Sequence, residues 1–440
     1  MHRIIKFLKL FIITVLFSIF CFLLIKSFLD ENINILYYLK YYFLIFIIII
    51  ILSFSRFIGK ENEINLIICF TSITISLFLI EFILLVITAS SLTSFDTREK
   101  LEVIYDEKKN NKKITLSIPP SSHHNKKIDI FPLSGISNSE TILCNEVGKW
   151  VTYNSDRYGF NNNDKNWNDT KIENLLIGDS FVHGHCVDYK NTFNGNFEKN
   201  IKDSVLSLSY AGTGPLIQLG MFKEYAYQKK TKNLTLFYYE ENDLIDLDNE
   251  LNSKILSQYL KNNQLQNLSS KQPAIDDYLI NIIEKKDQTY NHFRHKLLKF
   301  IKLYHVRNIF TSFFKKKNIK KEINFEKFQN LENKKNILIS YEEVLKQFIK
   351  ICNDRNIDFR IVYLPSYARY SQIDENTDLF LKKKIINIFK KNNIKYIDID
   401  EKIFKKSNNP KNFFQNASDN HYTVEGYKLI TEMLINEIYN

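Results

Sequence analysis

Cysteine is scarce in this chain: five residues in 440 are too few for a disulfide scaffold. A recognisable nucleic-acid motif is also missing. The net charge is +11, but Lys and Arg are scattered, so an anionic membrane face or a glycan suits that charge better than DNA or RNA. Charge is absent altogether from Leu10 to Ile25, and no small-residue cleavage site follows at Lys26-Ser27-Phe28. That second absence argues for a retained membrane span against a cleaved signal peptide.

Two more apolar stretches come behind the first. One is centred on Tyr41–Ser55, and the other runs from Ile64 to Ala89, interrupted only by Glu81. Each is long enough to cross the ~30 Å hydrocarbon core as a helix. Arg3, Lys6 and Lys9 precede the first span, Arg56 and Lys60 lie between the second and third, and Asp30 and Glu31 lie between the first two. The positive-inside rule therefore expects a cytoplasmic N-terminus in an inner or plasma membrane. Everything after about residue 95 is then periplasmic or extracellular, including Cys144, Cys186 and Cys352, which an oxidising compartment could pair. An ionised carboxylate inside a span is costly. The expectation for Glu81 is a protonated side chain facing the other two helices.

Residues 96–130 are polar and contain Pro119-Pro120-Ser121-Ser122-His123-His124, which reads as a stalk or linker. Short apolar pieces among turn residues over 131–165 suggest hairpins, so 96–170 reads as a linker and β-rich lead segment. From residue 171 the pattern changes. Short β-rich runs begin at Leu175, Val205, Leu234, Phe359 and Ile394, with helical stretches near 215–230, 340–355, 375–391 and 424–438. Strands alternating with helices imply an α/β domain over 171–440, a parallel sheet covered on both faces. Chemistry in such sheets gathers at the carboxyl ends of the strands.

The stretch 249–335 breaks this rhythm and is far too long for an ordinary connection, so it reads as a helical insertion. From Arg294 to Lys335 it holds thirteen Lys or Arg against Glu322, Glu326 and Glu332. Phe293, Leu297, Ile301 and Tyr304 form a helical stripe. The expectation is a helix packed on its own domain with a solvated basic face; a helix lying on a membrane is the alternative.

Four short segments carry the chemistry. Ile177-Gly178-Asp179-Ser180-Phe181 follows a strand and offers a serine at a tight turn, where it needs a base to become a nucleophile. Val182 stands where a G-x-S-x-G elbow would have its second glycine. Ala211-Gly212-Thr213-Gly214-Pro215 follows the next strand, and its glycines let backbone N–H groups approach a bound oxygen. Tyr239-Glu240-Glu241-Asn242-Asp243 follows the third strand, and the Asn242 amide is a donor suited to an oxyanion, or else a helix cap. Ser418-Asp419-Asn420-His421 precedes the last helix and offers a base with a carboxylate two residues before it. His183 and His185 beside Ser180 raise the question of a metal, but their spacing alone is a weak signal.

Serine, glycine, asparagine and histidine in this chain order resemble the SGNH/GDSL hydrolase family over roughly 150–248 and 336–440. The segment from Asn154 to Asn161 is similar to bacterial membrane-linked members. The resemblance implies a three-layer α/β/α, flavodoxin-like domain behind three transmembrane helices. It implies Ser180 as nucleophile, the N–H groups of Ser180 and Gly212 with the Asn242 amide as the oxyanion hole, and His421 as base. Asp419 is then the orienting acid, with Asp179 and Asp243 as lesser rivals.

Two departures stand out. Glu240 replaces the glycine usual in the third block, crowding the site or adding an acid. Ser418 stands where the family's acid usually lies, and Asp419 in its place is similar to alginate O-acetylation relatives. The implied activity is cleavage or transfer of an acyl group, acetyl above all, on an envelope carbohydrate or lipid, with no cofactor. A non-catalytic assembly protein of the same fold and a transporter or sensor are the competing readings. Cys144 and Cys186 are expected to form a disulfide tying the lead segment to the site.

Overall fold

The computed structural model describes all residues except 1, 30–34, 90–95, 111–113, 125, 202, 228, 262–264, 318–335, 372–380, 418–419 and 440. The chain forms two compact units, Met1–Ser90 with Lys296–Lys316 and Ser91–His295 with Lys317–Asn440.

The first unit holds α1 (His2–Leu29), α2 (Ile35–Phe54) and α3 (Lys60–Ala89), each long and apolar enough to cross a membrane. Their faces are largely exposed apolar side chains, as expected of helices whose solvent is lipid. Lys9 of α1 reaches Glu63 of α3 at 2.5 Å, so the near ends of these helices meet across a charge pair. The insertion residues Lys296–Lys316 group with these helices. That differs from the sequence expectation, in which the apolar stripe packs on the α/β domain.

In the second unit, β1 (Ile114–Leu116), β2 (Glu140–Cys144) and β3 (Val151–Asn154) form a small sheet with β1 parallel and β3 antiparallel to β2. The expected stalk is instead folded structure. Val103 and Ile104 of the helix Lys100–Lys109, together with Ile114, Leu116 and Ile118, are buried in the main core. Polar composition hides these few apolar residues, because a segment covering one edge of a core needs only a sparse buried face.

The main sheet is β4 (Lys171–Gly178), β5 (Val205–Ser209), β6 (Lys230–Tyr239), β7 (Asp358–Leu364) and β8 (Lys395–Asp398), in the order β5-β4-β6-β7-β8. All four pairings are parallel. Successive side chains of a strand point to opposite faces, and both faces are buried here. Leu175, Ile177, Leu206, Leu208, Leu234, Leu236 and Ile361 join one core with the helices Pro215–Met221, Asn336–Arg355 and Lys382–Lys391. Leu176, Val205, Phe237, Val362 and Leu364 join the other with the helices Phe193–Asn200 and Val424–Tyr439. The domain is a three-layer α/β/α sandwich with a parallel sheet. The first part of the insertion belongs to it, since Leu256, Tyr259, Ile275 and Leu279 are buried in the first core.

Candidate active site

β4 ends at Gly178, where an added Cβ would clash with the Val182 side chain, so glycine lets the first residues of the next helix pack close against the strand end. Asp179 caps the short helix Ser180–His183 by accepting from the Phe181 N–H at 3.0 Å. This fixes Ser180 at the carboxyl end of a central strand, half-buried at the mouth of a pocket.

The His421 loop is held from two sides. Its flanks pair with the segment before it, through Gln415 N–H to the His421 carbonyl at 2.9 Å and Thr423 N–H to the Phe413 carbonyl at 2.8 Å. Buried Tyr422 donates to the Pro365 carbonyl at 2.7 Å. The imidazole packs on Phe181 with ring centres 4.6 Å apart. Its Nε2 then lies 2.8 Å from Ser180 Oγ. That is contact distance for proton transfer.

The other ring nitrogen meets a residue the sequence did not single out. His421 Nδ1 is 2.6 Å from Glu146 Oε1, and the His421 backbone N–H donates to Glu146 Oε2 at 3.0 Å. Asp419, the expected orienting acid, lies outside the described residues. Glu146 comes from the lead segment, 275 positions away, and nothing in its local sequence marks it. A carboxylate on Nδ1 fixes the tautomer that leaves Nε2 free to accept.

Glu146 is brought there by the lead segment. Cys144 and Cys186 are disulfide-bonded, with Cα atoms 5.5 Å apart, linking the end of β2 to the loop after the Ser180 helix. The Asn154–Asn161 segment supplies the rest. Buried Asp156 accepts from the Tyr158 and Phe160 N–H groups, from Asn162 and from the Trp167 indole. Asn162 in turn exchanges two hydrogen bonds with the backbone of Ser207 in β5, and Asn161 donates to the His183 carbonyl at 2.9 Å. Burial raises the Asp156 carboxyl to about 6.

Asn242 follows β6, and its side chain makes no helix-capping bond. Its amide donates to Asp179 Oδ2 at 3.3 Å, which holds it over the same pocket. Gly212 has φ +72, and a Cβ there would meet the Ser121 hydroxyl at 2.6 Å, so glycine is needed both for the backbone and for the approach of the lead segment. A pocket of about 230 Å³ is lined by Glu146, Ser180, Phe181, Tyr239, Glu241, Asn242, Asn420 and His421. Gly212 is not in that lining.

The rival acids are engaged elsewhere. Asp179 is bonded to Phe181 and Asn242, and Asp243 accepts from the Tyr239 N–H at 3.0 Å. Burial pushes both carboxyls above their ordinary range, and for Asp243 the charge of Asp179 adds to the effect. Glu240 neither crowds the pocket nor adds an acid to it. It is fully buried and turned to the Arg369 guanidinium, the Tyr363 hydroxyl and the Ser366 N–H.

His183 is buried between Tyr153 and Tyr210, and burial lowers it to about 3. His185 lies against His421 with ring centres 4.4 Å apart, and burial lowers it well below the usual imidazole range. Glu146, His185 and His421 offer ligand atoms within 4.8 Å of one another, but two of the three already serve the contact with Ser180.

No protein-family profile and no curated protein matches the chain. Among solved structures, one similar chain is a protein from Desulfitobacterium hafniense DCB-2 described as a lipolytic protein of the G-D-S-L family. The two share 12% identity over 61% of this chain and 99% of that one, with a TM-score of 0.33. A likeness of that strength carries no functional weight, which leaves function to the geometry of the pocket.

Proposed function

We propose that this chain is a membrane-anchored serine ester hydrolase or O-acyltransferase of the SGNH/GDSL type. Its substrate in this reading is an acyl ester, acetyl above all, of an envelope carbohydrate or lipid. The observation that carries the proposal is the line of contacts Ser180 Oγ to His421 Nε2 at 2.8 Å and His421 Nδ1 to Glu146 at 2.6 Å. Serine hydroxyls are weak nucleophiles, and a base in contact with an oriented second nitrogen is what activates them.

In the first half-reaction Ser180 Oγ attacks the ester carbonyl carbon and its proton passes to His421 Nε2. Glu146 stabilises the imidazolium that forms. The N–H groups of Ser180 and Gly212 and the Asn242 amide are the donors assigned to the oxyanion, each worth roughly 2.7–4 kcal/mol of barrier where such donors have been removed. The C–O bond to the alcohol then breaks as His421 returns the proton to the leaving oxygen, leaving acyl-Ser180. Water, or a sugar hydroxyl deprotonated by the same histidine, attacks this ester and releases Ser180.

Tyr239, Glu241 and Asn420 complete a pocket wall rich in hydrogen-bonding groups, which supports a hydroxylated acceptor. The short-loop charge bias supports a cytoplasmic N-terminus and an exported site, and an active C-terminal alkaline phosphatase fusion is the expected result. The functional test is turnover of p-nitrophenyl acetate followed by intact-mass analysis. The expected outcome is an acetyl adduct on Ser180 whose decay is quickened by a sugar acceptor if the enzyme transfers, or by water alone if it hydrolyses. Turnover without any adduct on Ser180 would contradict the proposal.

A further inference from the structure

Two features of the first unit have no part in the chemistry above: the carboxylate of Glu81 inside α3, and the basic, apolar stretch Lys296–Lys316. The structure makes them partners. Glu81 is fully buried. Its carboxylate accepts from the backbone N–H of His305 at 3.0 Å and of Val306 at 2.9 Å, and contacts His305 Nδ1 at 2.8 Å. Those two N–H groups belong to the first turn of the helix Tyr304–Lys317, whose orphan donors a carboxylate satisfies best. Glu81 therefore caps a helix from a segment 224 residues away, which replaces the expected contact with the other two spans. Phe300 packs on Phe78 one helical turn before Glu81, and His305 Nε2 lies 3.5 Å from Thr88.

Depth follows from helix geometry. α3 ends at Ala89, eight residues and about 12 Å beyond Glu81, within the ~15 Å half-thickness of a hydrocarbon core. A turn seated at Glu81 is thus below the headgroups of the leaflet next to Ala89. The side chains around it suit that place. Leu297, Leu298 and Ile301 of the helix His292–Ile301 are exposed, while Lys296, Lys302 and Arg307 bring exposed charge on long stems that can reach headgroups.

We propose that Lys296–Lys316 is a re-entrant hairpin, docked on Glu81, that enters this leaflet and lays its basic residues among anionic lipid headgroups. The occupant of its exposed apolar face is the bilayer. The polar backbone at the turn tolerates that depth because Glu81 satisfies the freed N–H groups.

The test uses the full chain in nanodiscs of phosphatidylglycerol with and without brominated acyl chains. Bromine quenches tryptophan only on close approach, and the wild-type chain reports the background of its two tryptophans, Trp150 and Trp167. Ile301→Trp should show emission at least about twofold more quenched than this background. Quenching equal to the background would overturn the proposal. In Ile301→Trp, a further Glu81→Ala should abolish the extra quenching; retained quenching would overturn the role of Glu81 as the dock. If Glu81→Ala fails to accumulate, Glu81→Gln, which keeps one acceptor oxygen, replaces it, with partial loss expected and no loss contradicting the dock. Phosphatidylcholine in place of phosphatidylglycerol should reduce the quenching, and no change would overturn the anionic-headgroup part.

Discussion

The two units each hold a glutamate gripping a histidine in the same way. Glu146 takes both the backbone N–H and Nδ1 of His421, and Glu81 takes both the backbone N–H and Nδ1 of His305. The pairs span 275 and 224 residues of sequence. They differ in what the free ring nitrogen faces. His421 Nε2 meets a serine hydroxyl at 2.8 Å at the mouth of a pocket, whereas His305 Nε2 meets Thr88 at 3.5 Å on the span that carries its glutamate. A glutamate–histidine pair is therefore not a site in itself. The grip fixes a ring, and only the neighbour of the second nitrogen decides whether that ring moves a proton or anchors a helix.

Breaking the contact between Ser180 and His421 should have the largest effect. Ser180→Ala should abolish turnover of p-nitrophenyl acetate, and His421→Ala should lower kcat by about 10⁴–10⁶, since nucleophile and base act as a unit. Near wild-type kcat in either purified variant would contradict the assignment.

The grip itself comes next. Glu146→Gln should lower kcat by about 10²–10⁴ with little change in KM, because a neutral amide holds the ring less well and does not stabilise the imidazolium. Asp419→Asn should cost less than about tenfold, since Nδ1 is already engaged by Glu146. The reverse order of these two losses would return the acid role to Asp419.

The corresponding change in the first unit should leave chemistry alone. His305→Ala should keep ester turnover within about twofold while lowering stability by about 1–3 kcal/mol in a thermal-shift assay, because Glu81 loses a hydrogen-bond donor. Lost turnover with unchanged stability would break the distinction between the two pairs.

A third carboxylate, Glu250, sharpens it further. It accepts from the N–H groups of Gly214, Leu216 and Ile217 at the start of the helix Pro215–Met221, and burial raises it to about 8. The folded protein thus keeps a proton that the unfolded chain releases above its ordinary 4.5. Stability from this group falls as pH rises from that value to about 8. Relative to Glu250→Gln, the wild type should lose denaturant resistance between about pH 5 and about pH 8. A pH-independent difference would contradict this.

Local pattern carried much of the fold and part of the site into the sequence. Short β-rich runs ending in Ile177, Leu208 and Tyr239 placed Ser180, Gly212 and Asn242 just beyond strand ends, where a parallel sheet gathers its loops. Glu146 was illegible, since no spacing rule links a residue of the lead segment to a histidine beyond β8. Only the cysteine pair flanking it hinted that the segment reaches the site. Asp419 was attractive for the opposite reason, being near His421 in sequence, where proximity is easy to see. Glu240 read as a change to the pocket because its partner Arg369 is 129 residues away. The contact of Glu81 with His305 and Val306 was missed for the same cause: periodicity shows an apolar face but not what covers it.

The central claim is that Glu146 and His421 together activate Ser180, and the most direct measurement is the rate of fluorophosphonate labelling followed by intact mass and peptide mapping. A single adduct on Ser180 is expected in the wild type, none in Ser180→Ala, and labelling slowed by about 10²-fold or more in Glu146→Gln. An adduct on another serine, or equal labelling rates in the wild type and Glu146→Gln, would contradict it.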